Sequence, residues 1–216
     1  MKQKICLDCD GVILSHHKTI EYFVKKELNI ETEFDASQLD DSLNITYKCF
    51  FNISDDIPIS LKKTIKKFNS YINNLYIRED FWENNIPMVS KEFFNKLNDL
   101  YDIYIVTGIK EKFKEHRIKN LFNLYGIDFT NKIFCTNGMF NDKTEIINRI
   151  NPILYADDVM LHLIKLTNTN ISLYYIDNFN KFNVYKNKYN ISNIIRLNSL
   201  EELQIEHSYK LNIIII

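Results

Sequence analysis

Two aspartates, Asp8 and Asp10, stand one residue apart directly after an apolar run at residues 5–7. Side chains alternate along a strand, so both carboxylates are expected on the same side of the chain. One carboxylate can attack an electrophile while the other handles a proton, and a divalent cation can sit between them. Gly11 then lets the backbone leave the strand in a conformation that other residues resist. Because acidic pairs often only decorate a loop, this interpretation depends on polar residues further along the chain.

Three further polar features follow in the sequence. Thr107 ends a β-rich run, Lys143 follows an Asn-Asp pair, and the acidic pair at 157–158 ends an apolar run. Each has an ordinary alternative when taken alone. Thr107 could simply end its strand, Lys143 could be a solvated surface lysine, and the acidic pair could cap a helix. Their joint occurrence at strand ends favours a catalytic site.

The order of elements predicts an α/β fold, with a parallel sheet covered by helices on both faces. Helical spacing of apolar residues indicates helices from residue 16 to about 85, and Ser90 is expected to cap the next helix. Further helices are expected at 110–123 and 199–206. The inward-facing residues of the helix after Ser90 are expected to be Phe93, Phe94, Leu97 and Leu100. The predicted strands are residues 3–8, 102–106, 132–135, 153–156, 172–176 and 193–197.

In parallel sheets of this kind, ligands bind at the carboxyl ends of the strands. Asp8, Asp10, Thr107, Asp157 and Asp158 are all expected at such ends. Segments that are far apart in sequence are therefore expected to meet at one edge of the sheet.

The bulk composition argues against several classes of protein. The chain has 216 residues, 45% of them hydrophobic, with 27 basic and 28 acidic side chains. The near-zero net charge argues against a nucleic-acid binder, because no excess of Lys and Arg is present to neutralise phosphates. No apolar run approaches the ~20 residues of a membrane span, and the closing isoleucines 213–216 are expected to form a strand or a packed tail. Four cysteines without a disulfide-rich pattern, and no signal-peptide core, indicate reduced thiols and a cytoplasmic location.

A C-x-x-C motif, Cys6 and Cys9, followed by His16 and His17, makes a zinc site an alternative. Strand alternation sends the two thiols to opposite faces, and no second C-x-x-C follows. The sequence therefore favours two structural cysteines over a zinc site.

Taken in order, the motifs resemble those of the haloacid dehalogenase (HAD) superfamily of phosphohydrolases. The four motifs of that family are matched at residues 8–12, 105–108, 141–144 and 153–158. The resemblance spans essentially the whole chain and implies a HAD-like core with a Rossmann-like sheet, built from residues 1–14 and 86–216. Residues 15–85 match a small helical cap inserted after the first strand. Asp10 favours a phosphatase, because a dehalogenase does not need the second acid.

The resemblance also implies a role for each motif residue. Asp8 would be the nucleophile that forms an aspartyl-phosphate intermediate. Asp10 would protonate the leaving oxygen and then deprotonate the attacking water. Thr107, the backbone at Gly108, and Lys143 would bind the phosphoryl group.

Magnesium is the cofactor that the resemblance implies. The carboxylates of Asp8, Asp157 and Asp158, with the backbone carbonyl of Asp10, would hold it. Without a cation, carboxylates clustered in this way would repel one another and raise their own pKa values. The implied partner is a small phosphorylated substrate, with no nucleic acid and no membrane, and a homodimer is left open.

Three stretches are similar to the 5′(3′)-deoxyribonucleotidases, which remove phosphate from deoxynucleoside monophosphates. These stretches are residues 80–87, 107–110 and 142–158. The similarity implies that Phe81 and Trp82 line a nucleobase pocket, with packing inside the cap as an equal alternative. For Phe50 and Phe51, packing inside the cap is the better interpretation.

The sequence departs from that family at two positions. Gly108 stands where a small hydroxyl residue is usual, and Ser15 stands where an Asp is expected. A phosphatase of another small metabolite, such as a sugar phosphate, and a non-catalytic phosphate-binding regulator are the alternative functions. A lysine cluster on one cap helix is most simply a solvated face, with steering of anionic substrates as the alternative. The cluster comprises Lys62, Lys63, Lys66 and Lys67.

Overall fold

The computed structural model describes residues 2–38, 47–51 and 59–203. It divides into two compact units, which we call the sheet unit and the inserted unit. The sheet unit is drawn from Met1–Leu14 and Pro87–Ile216, and the inserted unit from Ser15–Ile86. The closing isoleucines 213–216 and the last residues of the helix predicted at 199–206 lie outside the described residues.

The sheet unit is built on six parallel strands in the order β5-β4-β1-β6-β7-β8. All six were predicted from the sequence, and the α/β fold class with a parallel sheet is confirmed. The strands are β1 (Gln3–Leu7), β4 (Tyr101–Thr107), β5 (Ile133–Cys135), β6 (Leu154–Asp157), β7 (Ser172–Ile176) and β8 (Ile194–Leu197). A short two-stranded sheet joins β2 (Leu14–Ser15) and β3 (Ile86–Pro87), where the chain passes between the units.

The register of the central strands aligns their carboxyl ends. Leu7, the last residue of β1, pairs with Ile105 of β4 on one side and with Ala156 of β6 on the other. The residues that follow these three positions therefore emerge at the same edge of the sheet. This alignment is what brings the motif residues together.

Helices of the sheet unit connect the parallel strands, as parallel pairing requires. Ser90 caps α4 through a 3.3 Å hydrogen bond from Phe93 N to its hydroxyl, which confirms the predicted start of that helix. The prediction was wrong at Leu100, which is 56% exposed because the helix ends there and the chain turns directly into β4. The helices are α4 (Lys91–Leu100), α5 (Lys114–Tyr125), α6 (Thr144–Ile150), α7 (Met160–Ile164) and α8 (Phe182–Lys188).

Alternating side chains of the strands supply two apolar layers, one on each face of the sheet. Ile5 and Leu7 pack in one layer with Cys9, while Cys6 packs in the other with Val106. The two thiols thus lie in different layers, as the sequence indicated, and none of the four cysteines, which all fall in the described ranges, forms a disulfide. None of the helices in the described ranges combines the length and apolar character that a bilayer crossing requires.

The inserted unit is helical, with a core rich in aromatic rings. Its helices are α1 (His16–Leu28), α2 (Ile59–Leu75) and α3 (Glu79–Glu83). Ser15 caps α1 by accepting a hydrogen bond from Lys18 N. On α2 the helical spacing correctly predicted the inward face, since Ile65, Phe68 and Ile72 are buried.

Candidate active site

Asp8 is held at the end of β1 by its own backbone. Its N–H donates to the carbonyl of Ala156 at 2.9 Å, which continues the pairing of β1 with β6. One side-chain oxygen, Oδ1, accepts from Cys9 N at 2.7 Å. The side chain is 8% exposed, so the carboxylate is buried yet reachable.

Lys143 joins the first and fourth motifs. Its Nζ lies 2.9 Å from Asp8 Oδ1 and 2.9 Å from Asp157 Oδ2, and the side chain is only 2% exposed. The lysine immediately precedes α6, at the edge of the sheet where these strands end. The solvated-lysine alternative is therefore excluded for Lys143, because a buried ammonium needs the partners that the two acids provide.

Asp157 is surrounded by hydrogen-bond donors. Its Oδ2 contacts the Tyr155 hydroxyl and the Nδ1 of His162, the latter at 2.9 Å, in addition to Lys143. Its Oδ1 accepts from Val159 N at 2.7 Å. Despite complete burial, these partners hold the pKa of the Asp157 carboxyl well below its ordinary value, so it is ionised at neutral pH.

Asp158 is in the opposite situation. Within the described part of the chain, no hydrogen-bond donor or cation contacts its carboxylate. Oxygens of Asp8, Asp157 and Asp158 lie within 4.8 Å of one another, in a buried group. A hard divalent cation fits this group, because three carboxylates share one ammonium and oxygen ligands are what magnesium prefers.

The pKa values of Asp8 and Asp158 are consistent with an excess of negative charge in this group of acids. Burial raises the pKa of Asp8 to about 6, because desolvation and the neighbouring acids outweigh the attraction of Lys143. Burial and the charges of Asp8 and Asp157 raise the pKa of Asp158 well above its ordinary value. A bound cation would reverse both shifts by favouring the ionised forms.

Gly11 leaves room for the Asp158 carboxylate. Its φ is +82°, a left-handed conformation that favours glycine. A Cβ at this position would lie 1.9 Å from Asp158 Oδ2. Gly11 therefore lets the chain turn after β1 and leaves space for the Asp158 carboxylate.

Thr107 and Gly108 lie at the end of β4, beside β1. The Thr107 hydroxyl is buried and has no hydrogen-bond partner among the residues the structure describes, which leaves it able to donate to a ligand. A Cβ on Gly108 would approach Met139 Cα to 2.8 Å. The loop before Lys143 therefore packs so closely that a side chain at position 108 would not fit without a shift.

Asp10 is not a member of the three-acid group and contacts a cation of its own. Arg117 Nη2 donates to Asp10 Oδ1 at 2.8 Å; the arginine side chain is 0% exposed and the aspartate side chain 24%. The loop that carries Asp10 is fixed by a 2.8 Å bond from Gly11 N to Leu14 O and by the Asn178 amide, which donates to the Gly11 carbonyl.

Phe81 and Trp82 lie in the inserted unit, where both rings are buried. Phe81 packs edge-on against Tyr76, with ring centroids 5.7 Å apart, and the Trp82 indole N–H donates to the Tyr76 carbonyl at 3.2 Å. Phe50 likewise packs on Phe68. The core-packing alternative thus describes how these rings are used in this structure, and their role in base binding stays a prediction.

Three polar residues of the site were not identified from the sequence. Tyr155 stands within a strand, and His162 and Arg117 stand within helices, where each is most simply read as an ordinary core or surface residue. The only available signal was the position of Tyr155 two residues before Asp157, on the same side of β6.

The comparison with solved structures identifies the fold. No protein-family model matches the sequence, and no curated protein matches it either. A haloacid dehalogenase-like hydrolase from Streptococcus pneumoniae superposes with a TM-score of 0.55 at 14% identity, over 96% of this chain and 98% of that one. A haloacid dehalogenase-like hydrolase from Bacteroides fragilis gives 0.53 at 13% identity, over 94% and 100%. A HAD hydrolase from Bacillus subtilis bound to magnesium gives 0.52 at 15% identity, over 94% and 96%.

Identities this low establish architecture and not activity. The inserted helices after the first strand and the six-stranded parallel sheet are both part of the shared architecture. The chain therefore has the fold of the haloacid dehalogenase-like hydrolases.

Proposed function

We propose that this protein is a magnesium-dependent phosphomonoesterase that acts through an aspartyl-phosphate intermediate on Asp8. One observation carries the proposal: the buried group of Asp8, Asp157 and Asp158 at the edge of the sheet, where Lys143 is the one ammonium that the described residues bring into contact with it. A fold has no structural need for such a group, because buried like charges destabilise it. A phosphoryl-transfer site needs both the cation and the nucleophile.

The carboxylates of Asp8 and Asp158 would hold the magnesium ion, together with Asp157 and the backbone carbonyl of Asp10. When bound, the ion supplies positive charge that offsets the repulsion between the phosphoryl oxygens and an anionic nucleophile. Asp158 is the best suited of the ligands, since its carboxylate is the one without a protein partner among the described residues.

Asp8 would attack phosphorus; its burial and the 2.9 Å contact of Lys143 with one of its oxygens support this role. Lys143 would also bind a phosphoryl oxygen, and the unpartnered Thr107 hydroxyl would donate to another. The Asp157 network holds Lys143 in place through the 2.9 Å contact to its Nζ. Asp10 would protonate the leaving oxygen in the first half-reaction and deprotonate water in the second.

Within this class, we propose a nucleotidase that prefers deoxynucleoside monophosphates. The support is the similarity of residues 80–87, 107–110 and 142–158 to the 5′(3′)-deoxyribonucleotidases. The burial of Phe81 and Trp82 weakens the specific expectation that these rings stack on the base. Phosphatase activity on another small metabolite is the alternative that the same site would serve.

The test is phosphate release by the purified protein with magnesium, from a panel of nucleoside monophosphates and sugar phosphates. We expect release that requires magnesium and that is fastest with deoxynucleoside monophosphates. Equal or faster turnover of sugar phosphates would remove the nucleotide assignment and leave the phosphatase. Hydrolysis of no monoester would favour a non-catalytic phosphate-binding protein.

The intermediate can be tested directly. A beryllium fluoride adduct mimics an aspartyl phosphate, and we expect it on Asp8. An adduct on any other residue would overturn the assignment of the nucleophile.

A further inference from the structure

Arg117 is a buried charge to which the proposed mechanism assigns no role. It is the largest fully buried side chain of the described residues. It lies on α5, whose other inward residues include the apolar Ile118 and Leu121. Burial of a guanidinium costs several kcal/mol unless its partners compensate, and an apolar residue of similar volume is often at least as stable. Stability alone therefore does not explain why a charged residue occupies this position.

Asp10 is a hydrogen-bonded partner of Arg117, and the two side chains of the pair differ in their exposure. Arg117 Nη2 donates to Asp10 Oδ1 at 2.8 Å from inside the sheet unit, while the Asp10 side chain keeps 24% exposure. A guanidinium is planar and permanently charged, so it fixes the direction of the carboxylate as well as its position.

The backbone around Asp10 is held separately from its side chain. Gly11 N bonds to Leu14 O at 2.8 Å, Asp10 forms an isolated bridge with Leu14, and the Asn178 amide donates to the Gly11 carbonyl. An Asp side chain still has two rotatable bonds beyond that backbone. The hydrogen bond from Arg117 to Asp10 Oδ1 restricts rotation about these bonds.

We propose that Arg117 is the positioning residue for Asp10: it holds the acid–base carboxylate in the orientation needed for proton transfer. The inference rests on the proposed phosphatase function. In the first half-reaction the Asp8–phosphorus bond forms, the bond from phosphorus to the leaving oxygen breaks, and that oxygen takes the Asp10 proton. In the second, Asp10 takes a proton from water as the water oxygen bonds to phosphorus and the Asp8–phosphorus bond breaks.

This role predicts a dependence on the leaving group. An alcohol is a poor leaving group without a proton, whereas p-nitrophenolate leaves without one. A displaced Asp10 should therefore slow alkyl monophosphates far more than p-nitrophenyl phosphate. A general defect of folding or of phosphate binding would slow both alike.

The experiment compares kcat/KM of Arg117→Met with that of the wild type, because kcat/KM reports on the first half-reaction. For the best alkyl monophosphate of the panel we expect a fall of about 100-fold, the scale of general acid catalysis. For p-nitrophenyl phosphate we expect kcat/KM to fall by less than about 5-fold, because its leaving group does not need a general acid. Arg117→Lys, which keeps the charge without the planar fork, should give an intermediate loss with the same substrate order.

Two further variants serve as controls. Adding Arg117→Met to Asp10→Asn should cause no further loss, since the arginine acts only through the aspartate. Arg196→Met removes another arginine of the sheet unit, one that pairs with Asp177 at 2.7 Å, and should leave both substrates unaffected.

The outcomes separate the two proposals. A wild type that hydrolyses no monoester refutes the proposed function. An active wild type whose Arg117 variants lose equal activity on both substrates refutes the positioning role alone, as would an additive loss in the double variant. If Arg117→Met does not fold, the same comparison of the two substrates with Arg117→Lys tests the positioning role.

Discussion

Two neighbouring strands, β6 and β7, both end in buried aspartates, yet the two strand ends are built very differently. After β7, Asp177 accepts from Lys181 N at 2.7 Å and from Phe182 N at 3.3 Å at the start of α8. Arg196 Nε lies 2.7 Å from its Oδ2. The Asp177 carboxylate is thus satisfied within the fold, as expected of an acid whose task is structural.

At the end of β6 the local charges do not balance. Asp157 is saturated with donors, Asp158 has no contacting partner among the described residues, and Asp8 shares Lys143 with Asp157. The chain evidently can satisfy a strand-end acid, since it does so one strand away. The imbalance at β6 is therefore a property of this site and indicates that a ligand completes it.

The largest expected effect is a loss of activity on substitution of Asp8, and it distinguishes Asp8 from Asp177. Asp8→Asn should lower turnover by about 10⁴-fold or more, the scale seen when a nucleophile is removed. Its stability without magnesium should be unchanged or higher, because one buried like charge is lost. Asp177→Asn should show the reverse: activity near that of the wild type and a loss of about 1–3 kcal/mol in the free energy of unfolding.

Phosphate release and urea denaturation of both variants give these quantities. An Asp177 variant that loses activity while folded, or an Asp8 variant that keeps it, would contradict the division between the two strand ends.

Removal of the Lys143 ammonium comes next. Lys143→Met leaves Asp8 and Asp157 buried without their ammonium, which should lower the free energy of unfolding by about 3–5 kcal/mol. Urea denaturation with and without magnesium measures this loss. The exposed Lys96, paired with Glu92, provides a matched control, since Lys96→Met should cost less than about 1 kcal/mol.

A pH dependence of magnesium binding is the third expectation. An acid whose pKa is higher in the folded than in the unfolded state takes up protons on folding, so the metal-free protein loses stability as pH rises. For Asp8 this loss extends up to about pH 6, and the raised pKa of Asp158 acts in the same direction. Magnesium binds the ionised forms, and its stabilisation should be larger at pH 7.5 than at pH 5, by about 2 kcal/mol.

Thermal unfolding with and without magnesium at the two pH values checks this expectation. Asp158→Asn should remove most of the stabilisation by magnesium, whereas Asp177→Asn should retain it. Equal stabilisation at both pH values would argue against ionised Asp8 and Asp158 as the ligands.

The smallest expected effect concerns Gly108. Gly108→Ser restores the hydroxyl usual in the deoxyribonucleotidases, but its Cβ would lie 2.8 Å from Met139 Cα. We expect a loss of about 1–2 kcal/mol in stability and no gain in activity, because the backbone of the loop must shift. Chemical denaturation and the phosphatase assay report these two quantities. A variant that is more active and equally stable would contradict this expectation, because it would show that the loop shifts at little cost.

The sequence predicted the sheet and the main motif residues because those signals are local. Apolar runs followed by acids, threonine or glycine mark where strands end, and parallel strands align those ends. Asp8, Lys143, Asp157 and Asp158 could therefore be expected to meet without knowledge of their contacts.

The supporting residues depend on tertiary contacts that local patterns do not encode. Arg117 stands in the polar segment 114–120, which by itself reads as a solvated helix, and only packing reveals that the side chain is buried against Asp10. His162 is hidden for the same reason. Leu100 fits the helical spacing of apolar residues, but it lies on the last turn of α4, where that spacing no longer determines which side chains are buried.

The position of β1 has a consequence for the order in which the protein can assemble. Strand β1 comes first in the chain, but its two neighbours in the sheet are β4, near residue 104, and β6, near residue 155. During synthesis, the segment that carries Asp8 has neither lateral partner until most of the chain has been made. Phosphatase activity should therefore be one of the last properties a growing chain acquires, and fragments that stop before β6 should have none.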